Sequence, residues 1–284
     1  MVKLERFVGW GQTMRWLNLP LLATCLLTLC ACGGSDPAPS TANASIGQSP
    51  PNTTELLKDN LAIPDNRTNQ PLQILFFGNS HSNSLLRQSL QTLLQTGTQH
   101  QVKIDAASGL AYLDERWFDK TNMAALTGSR WTHLVLQAQK YSQSGQTDYS
   151  TQETQLWIAS AKRLGVTPVL YPEHPQRGNA FEGSYVFQLH QTIAKAQRAC
   201  VAPIGPVWDN VNQQYPLISL YSNDGNHFNA TGALLTAYVM YEVITGNHAD
   251  SLPDIASLGI PSATQQLLRQ AASAGLQRYP ACAF

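Results

Sequence analysis

The sequence predicts an α/β fold, a three-layer α/β/α sandwich around a parallel five-stranded sheet. Two observations carry this. Five apolar runs of strand length are separated by stretches with helical spacing, and that alternation builds parallel sheets covered by helices on both faces. Polar residues suited to chemistry fall just past the ends of these runs, where ligands sit in such sheets.

The chain begins with a stretch of another kind. Lys3, Arg6 and Arg15 precede an apolar core from Leu19 to Leu29 that is short for a bilayer span, so residues 1–31 read as an export signal. Leu29-Cys30-Ala31-Cys32-Gly33 then resembles a bacterial lipobox, which implies cleavage before Cys32 and lipidation of its thiol. Gly33 is not the aspartate associated with inner-membrane retention, so the expected location is the outer membrane, facing the periplasm or cell exterior. The Ser/Pro/Gly-rich tract that follows buries no core and is expected to act as a flexible tether over 32–55. The domain is then 56–284, long enough for one sizeable α/β unit.

Within it, Leu72–Phe77 is the first strand, backed by a helical stripe of Leu85, Leu86, Leu90, Leu93 and Leu94. Val102–Ala106 is the second, followed by a turn at Ser108-Gly109. A helix is expected over 113–126, before a third strand at 131–136. The fourth strand, 166–171, follows a helix around 156–164, and the fifth, 200–204, follows one around 185–198. The last helix, 230–244, starts after Asn229, a good N-cap.

Charge excludes some partners. The full chain is formally neutral, with 18 basic and 18 acidic residues; without Lys3, Arg6, Arg15 and Glu5 it holds 15 and 17, a net −2. Nothing favours nucleic acid or an anionic surface. Of five cysteines, Cys25 and Cys30 leave with the signal and Cys32 takes lipid, so Cys200 and Cys282 remain. An even remainder in an oxidising compartment suggests a disulfide tying the C-terminal tail to the last core strand.

Two short segments carry the chemistry. In Gly78-Asn79-Ser80 the first strand breaks at a glycine and delivers a serine at the mouth of a helix, whose N–H groups suit an anion. In Asp224-Gly225-Asn226-His227 a carboxylate stands three positions before a histidine, close enough to hold one imidazole nitrogen while the other faces a serine. A serine hydroxyl needs such a base, and the base needs an orienting group. Ser82 and Ser84 fall within the helix instead. Of the other histidines, His81 adjoins the serine and points elsewhere, while His174 follows the fourth strand and could line the pocket; His133 and His190 are further candidates.

These segments, with the run 201–208 ahead of the Asp/His pair, resemble the SGNH/GDSL-type hydrolases, in a divergent branch that opens G-N-S rather than G-D-S. The resemblance spans roughly 72–246. It implies a flavodoxin-like fold, Ser80 as nucleophile, His227 as base and Asp224 as orienting acid, with the N–H groups of Ser80 and Gly109 in the oxyanion hole. Members of the family carry G-x-N-D after the third strand, whose asparagine supplies a third donor. Here Gln137 and Gln139 stand in that region, and either amide could serve, Gln137 ending the strand and Gln139 matching the linear spacing. The implied activity is a serine esterase cleaving a short acyl ester, such as an acetyl ester, of a small molecule or glycan through an acyl-enzyme, with no metal or organic cofactor. Acyl transfer to a glycan, or glycan binding without catalysis, are the alternatives. Trp117, Phe118, Trp157, Phe181 and Trp208 are expected in the core or along the pocket.

Overall fold

The structure, a computed structural model, describes residues 53–284. The expected signal peptide, the lipid-bearing Cys32 and the tether up to residue 52 lie outside the described residues. In chain order the elements are α1 (Thr53–Lys58), β1 (Leu72–Phe77), α2 (Ser84–Thr98), β2 (Val102–Ala106), α3 (Leu113–Phe118), α4 (Lys120–Thr127), β3 (His133–Gln137), α5 (Gln152–Arg163), β4 (Thr167–Tyr171), α6 (Glu182–Ala196), β5 (Cys200–Val201), α7 (Ile204–Gln214), α8 (Ala230–Thr245) and α9 (Ser262–Arg278).

The strands form one parallel sheet in the order β2-β1-β3-β4-β5. Because strand side chains alternate, β1 feeds two cores. Leu72, Ile74 and Phe76 join a core with residues of α2, α7, α8 and α9. Leu75 and Phe77 join another with Leu113, Leu126, Trp157 and Phe187, from α3, α4, α5 and α6. The three-layer sandwich expected from the sequence is therefore present. Its order reverses at β1, where β2 and β3 lie on opposite sides, and a crevice opens there at the carboxyl ends.

Several boundaries move for physical reasons. The single helix expected over 113–126 is two, because Asp119 is extended and its Oδ1 caps the N–H of Thr121 at 2.9 Å. The fifth strand stops at Val201, since Pro203 leads directly into α7. Thr53, Thr54 and Glu55, read as the end of the tether, form the start of α1, whose Leu56 packs on Leu156 and Ala159. Helices α7 and α9 went unread in the sequence. Cys200 and Cys282 are joined by a disulfide, and the Val201 N–H donates to the Ala281 carbonyl beside it at 2.7 Å, so the tail lies along β5.

Candidate active site

The serine segment is built by a cap. Past β1, Asn79 is extended and its Oδ1 accepts the N–H of His81 at 3.0 Å, which starts a single 3-10 turn over Ser80–Ser82. Ser80 is the first residue of that turn and stays partly open to solvent. Ser82 is buried and donates to the Asn79 carbonyl at 2.9 Å, while Ser84 opens α2.

The histidine segment closes on itself. Asp224 Oδ1 accepts the N–H groups of Asn226 and His227, each at 2.9 Å, and the Ser222 hydroxyl at 2.7 Å. Gly225, at φ +73°, supplies the left-handed residue this turn needs. The other oxygen, Oδ2, lies 2.6 Å from His227 Nδ1. His227 Nε2 lies 2.7 Å from Ser80 Oγ, across 147 residues of sequence. Hydrogen bonds, led by that from His227, hold the Asp224 carboxyl well below the usual carboxylate range.

A stack of rings backs this pair. His81 lies against His227 with centroids 4.9 Å apart and planes 16° from parallel. Burial, with a contribution from His227, pushes His81 down to about 4. His174 is buried too rather than lining the pocket; it stacks on Trp208 at 4.0 Å and donates from Nε2 to the Asn226 carbonyl at 2.9 Å. Burial holds it neutral, at about 3. The segment carrying His227 therefore rests on a buried aromatic wall.

The glutamine expectation is corrected. Gln139 is buried and donates from Nε2 to the carbonyls of Lys140 and Ser150, at 2.8 and 2.9 Å, with Oε1 accepting from Thr154. Gln137 is buried beside the serine turn with its amide reversed from the expected role. Its Oε1 accepts the Asn79 N–H at 2.7 Å and its Nε2 donates to Glu173 Oε1 at 2.5 Å. Neither amide N–H is presented to Ser80. The packing around both side chains satisfies them elsewhere, which strand-end placement does not reveal.

Two residues that the sequence reading passed over complete the surroundings. Glu173 lies beyond β4 with its side chain 13% exposed, and burial pushes it up to about 7 against the lowering effect of bonds from Asn79 and Gln137. Arg116, on α3, is buried and donates to the carbonyls of Gly78, Gly109 and Ser108 and to Asn122 Oδ1. Gly109 itself is exposed at φ +74°, so its backbone needs glycine although open space surrounds it. No sequence signal marks Arg116, whose burial appears only in the fold.

Above Ser80 and His227 opens a cavity of about 830 Å³ lined by Tyr112, Lys140, Tyr141, Tyr149 and Glu173 among other polar residues. The aromatics considered from sequence do not line it: Trp157 and Trp208 are core, while Phe118 and Phe181 lie exposed. Among the described residues no cluster of His, Cys, Asp or Glu could hold a metal ion, and no helix is long and apolar enough to cross a membrane.

No protein-family model and no curated protein matches the sequence. Solved structures do. A DUF4886 family protein from Bacteroides uniformis overlays with a TM-score of 0.60 at 15% identity, over 74% of this chain and 95% of its own. A putative SGNH hydrolase from Slackia heliotrinireducens reaches 0.47 at 23% identity, over 61% and 98%. An acetylxylan esterase from Geobacillus stearothermophilus reaches 0.46 at 13% identity, over 66% and 96%. The chain shares the fold of the DUF4886 family protein, here an α/β/α sandwich built on a parallel five-stranded sheet.

Proposed function

We propose that this protein is a serine esterase that removes a short acyl group from a hydroxyl-rich alcohol. The observation that carries the reading is the unbroken chain Ser80 Oγ to His227 Nε2 at 2.7 Å and His227 Nδ1 to Asp224 Oδ2 at 2.6 Å. Ser80 Oγ attacks the ester carbonyl carbon as its proton passes to His227 Nε2. Asp224 keeps the proton of Nδ1 in place and stabilises the imidazolium. The tetrahedral intermediate collapses, the C–O bond to the alcohol breaks, and His227 returns the proton to the departing oxygen. Water then repeats the sequence on the acyl-enzyme and releases the acid. The N–H groups of Ser80 and Gly109 are assigned to the developing oxyanion.

The polar, tyrosine-lined cavity favours a sugar or another polyol as the alcohol. Acyl transfer uses the same residues with a hydroxyl in place of water, and free acid as the sole product with a polysaccharide acceptor present excludes it. We further infer export and lipid attachment at Cys32, on the outer membrane. Labelled palmitate incorporation that survives Cys32→Ala would remove the anchor.

The deciding experiment is hydrolysis of p-nitrophenyl acetate, butyrate and octanoate by the protein and by Ser80→Ala and His227→Ala. Turnover should collapse in both variants and decline with acyl length. Turnover intact in Ser80→Ala would identify another nucleophile.

A further inference from the structure

The peptide ahead of Ser80 is held by a relay of three side-chain and main-chain groups. The Asn79 N–H is a donor and must meet an acceptor once buried. It meets Gln137 Oε1 at 2.7 Å, which turns Gln137 Nε2 to Glu173 Oε1 at 2.5 Å. Asn79 Nδ2 reaches the same Glu173 oxygen at 3.4 Å. The turn is shaped around that amide: a Cβ on Gly78 would overlap both Gln137 Oε1 and Ser82 Oγ. Gln137 has no exposed surface, so no bulk water can replace a lost partner.

We propose that Glu173 is a positioning residue of this site, locking the Gln137 amide so that its oxygen holds the Asn79 N–H and, through it, the turn that presents Ser80. A flipped amide would set its oxygen against Glu173 Oε1 and its NH₂ against the Asn79 N–H, acceptor facing acceptor and donor facing donor. Asn79 also caps the Ser80–Ser82 turn, so an error at its peptide passes to an Oγ that must stay 2.7 Å from His227. The role needs an acceptor oxygen at this position, whichever state the other carboxyl oxygen is in. The proposal rests on the serine-esterase reading.

The test is a side-chain exchange, assayed by ester hydrolysis at mildly alkaline pH with thermal unfolding recorded for each variant. Glu173→Ala should lower kcat on the order of 10²-fold with KM little changed, as a small misplacement of a nucleophile does. Glu173→Gln keeps the acceptor and should stay near wild type. Gln137→Glu sets two carboxyl groups face to face and should lose activity, and the double exchange Gln137→Glu with Glu173→Gln, which restores one donor and one acceptor, should recover it. A folded Glu173→Ala with full kcat, or a double exchange no better than Gln137→Glu alone, overturns the positioning role. If Glu173→Ala does not fold, the recovery in the double exchange decides. Absence of Ser80-dependent labelling of the wild type by a fluorophosphonate would instead remove the esterase reading itself, and the positioning role with it.

Discussion

Arg116 Nη2 donates to the carbonyls of Gly78 and Gly109, each at 2.7 Å, so one buried guanidinium joins the loop after β1 to the loop after β2. Among the described residues no carboxylate contacts it; its partners are carbonyls and the Asn122 amide oxygen. Burial lowers its affinity for a proton, and a planar fork with five N–H groups is the side chain that can still satisfy four acceptors at once. It ties together the two loops whose N–H groups we propose for the oxyanion.

Lysine should therefore not replace it. Each buried carbonyl left without a donor costs about 1–3 kcal/mol, so Arg116→Ala and Arg116→Lys should both lower the urea midpoint. Both should also reduce kcat on the order of 10²-fold. Full activity in a folded Arg116→Lys would show that charge rather than the fork matters.

Asp224→Asn tests the orienting role apart from the local turn. An amide keeps one oxygen for the N–H groups of Asn226 and His227 but favours the wrong imidazole tautomer. Loss of kcat should approach 10⁴-fold, roughly the scale seen when a triad carboxylate becomes an amide. An unchanged rate would mean that solvent orients His227 without help.

Acid should destabilise the fold before it protonates surface carboxylates. His81 and His190 are pushed down to about 4, and His133 and His174 to about 3, all by burial. Unfolded, each takes a proton near its ordinary value of about 6.5. Between those limits the unfolded chain binds more protons, so stability is fullest above about 6.5 and falls as pH drops towards 3–4. Glu173 acts in the opposite sense, since a carboxyl raised to about 7 favours the fold most below its ordinary value and loses that as pH rises through 7. Asp209, raised by burial to about 6, acts as Glu173 does, and four imidazoles against two carboxyls leave a net loss on acidification. Urea midpoints at about pH 7 and pH 5 should show it; equal midpoints would mean that these rings are hydrated.

The disulfide should matter to stability and not to turnover. It closes a separation of 82 residues, which the chain-entropy account rates at about 4.5 kcal/mol. Cys282→Ser should lower the unfolding temperature while kcat/KM at ambient temperature stays put, because the tail lies along β5 and not among the residues around Ser80. A fall in kcat/KM in the folded variant would tie the tail to the site.

The sequence by itself determined the sheet, the strand that ends at the serine, and the Asp224/His227 turn. These are local: an apolar run, a glycine where the chain must bend, and a carboxylate whose N–H partners lie two and three residues away. Helix α9 stayed illegible because its buried face includes Gln265, Arg269 and Ser273, polar side chains that blur the apolar stripe. Only the tertiary structure decided that Gln137 would hold a backbone N–H instead of facing Ser80, that Gln139 would turn away, and that Arg116 and Glu173 would grip the turn. Those contacts join residues 78–79, 116, 137 and 173, which lie after β1, in α3, at the end of β3 and after β4. A buried amide or guanidinium takes whichever donors and acceptors the packed backbone leaves beside it, and that inventory exists only once the chain has folded.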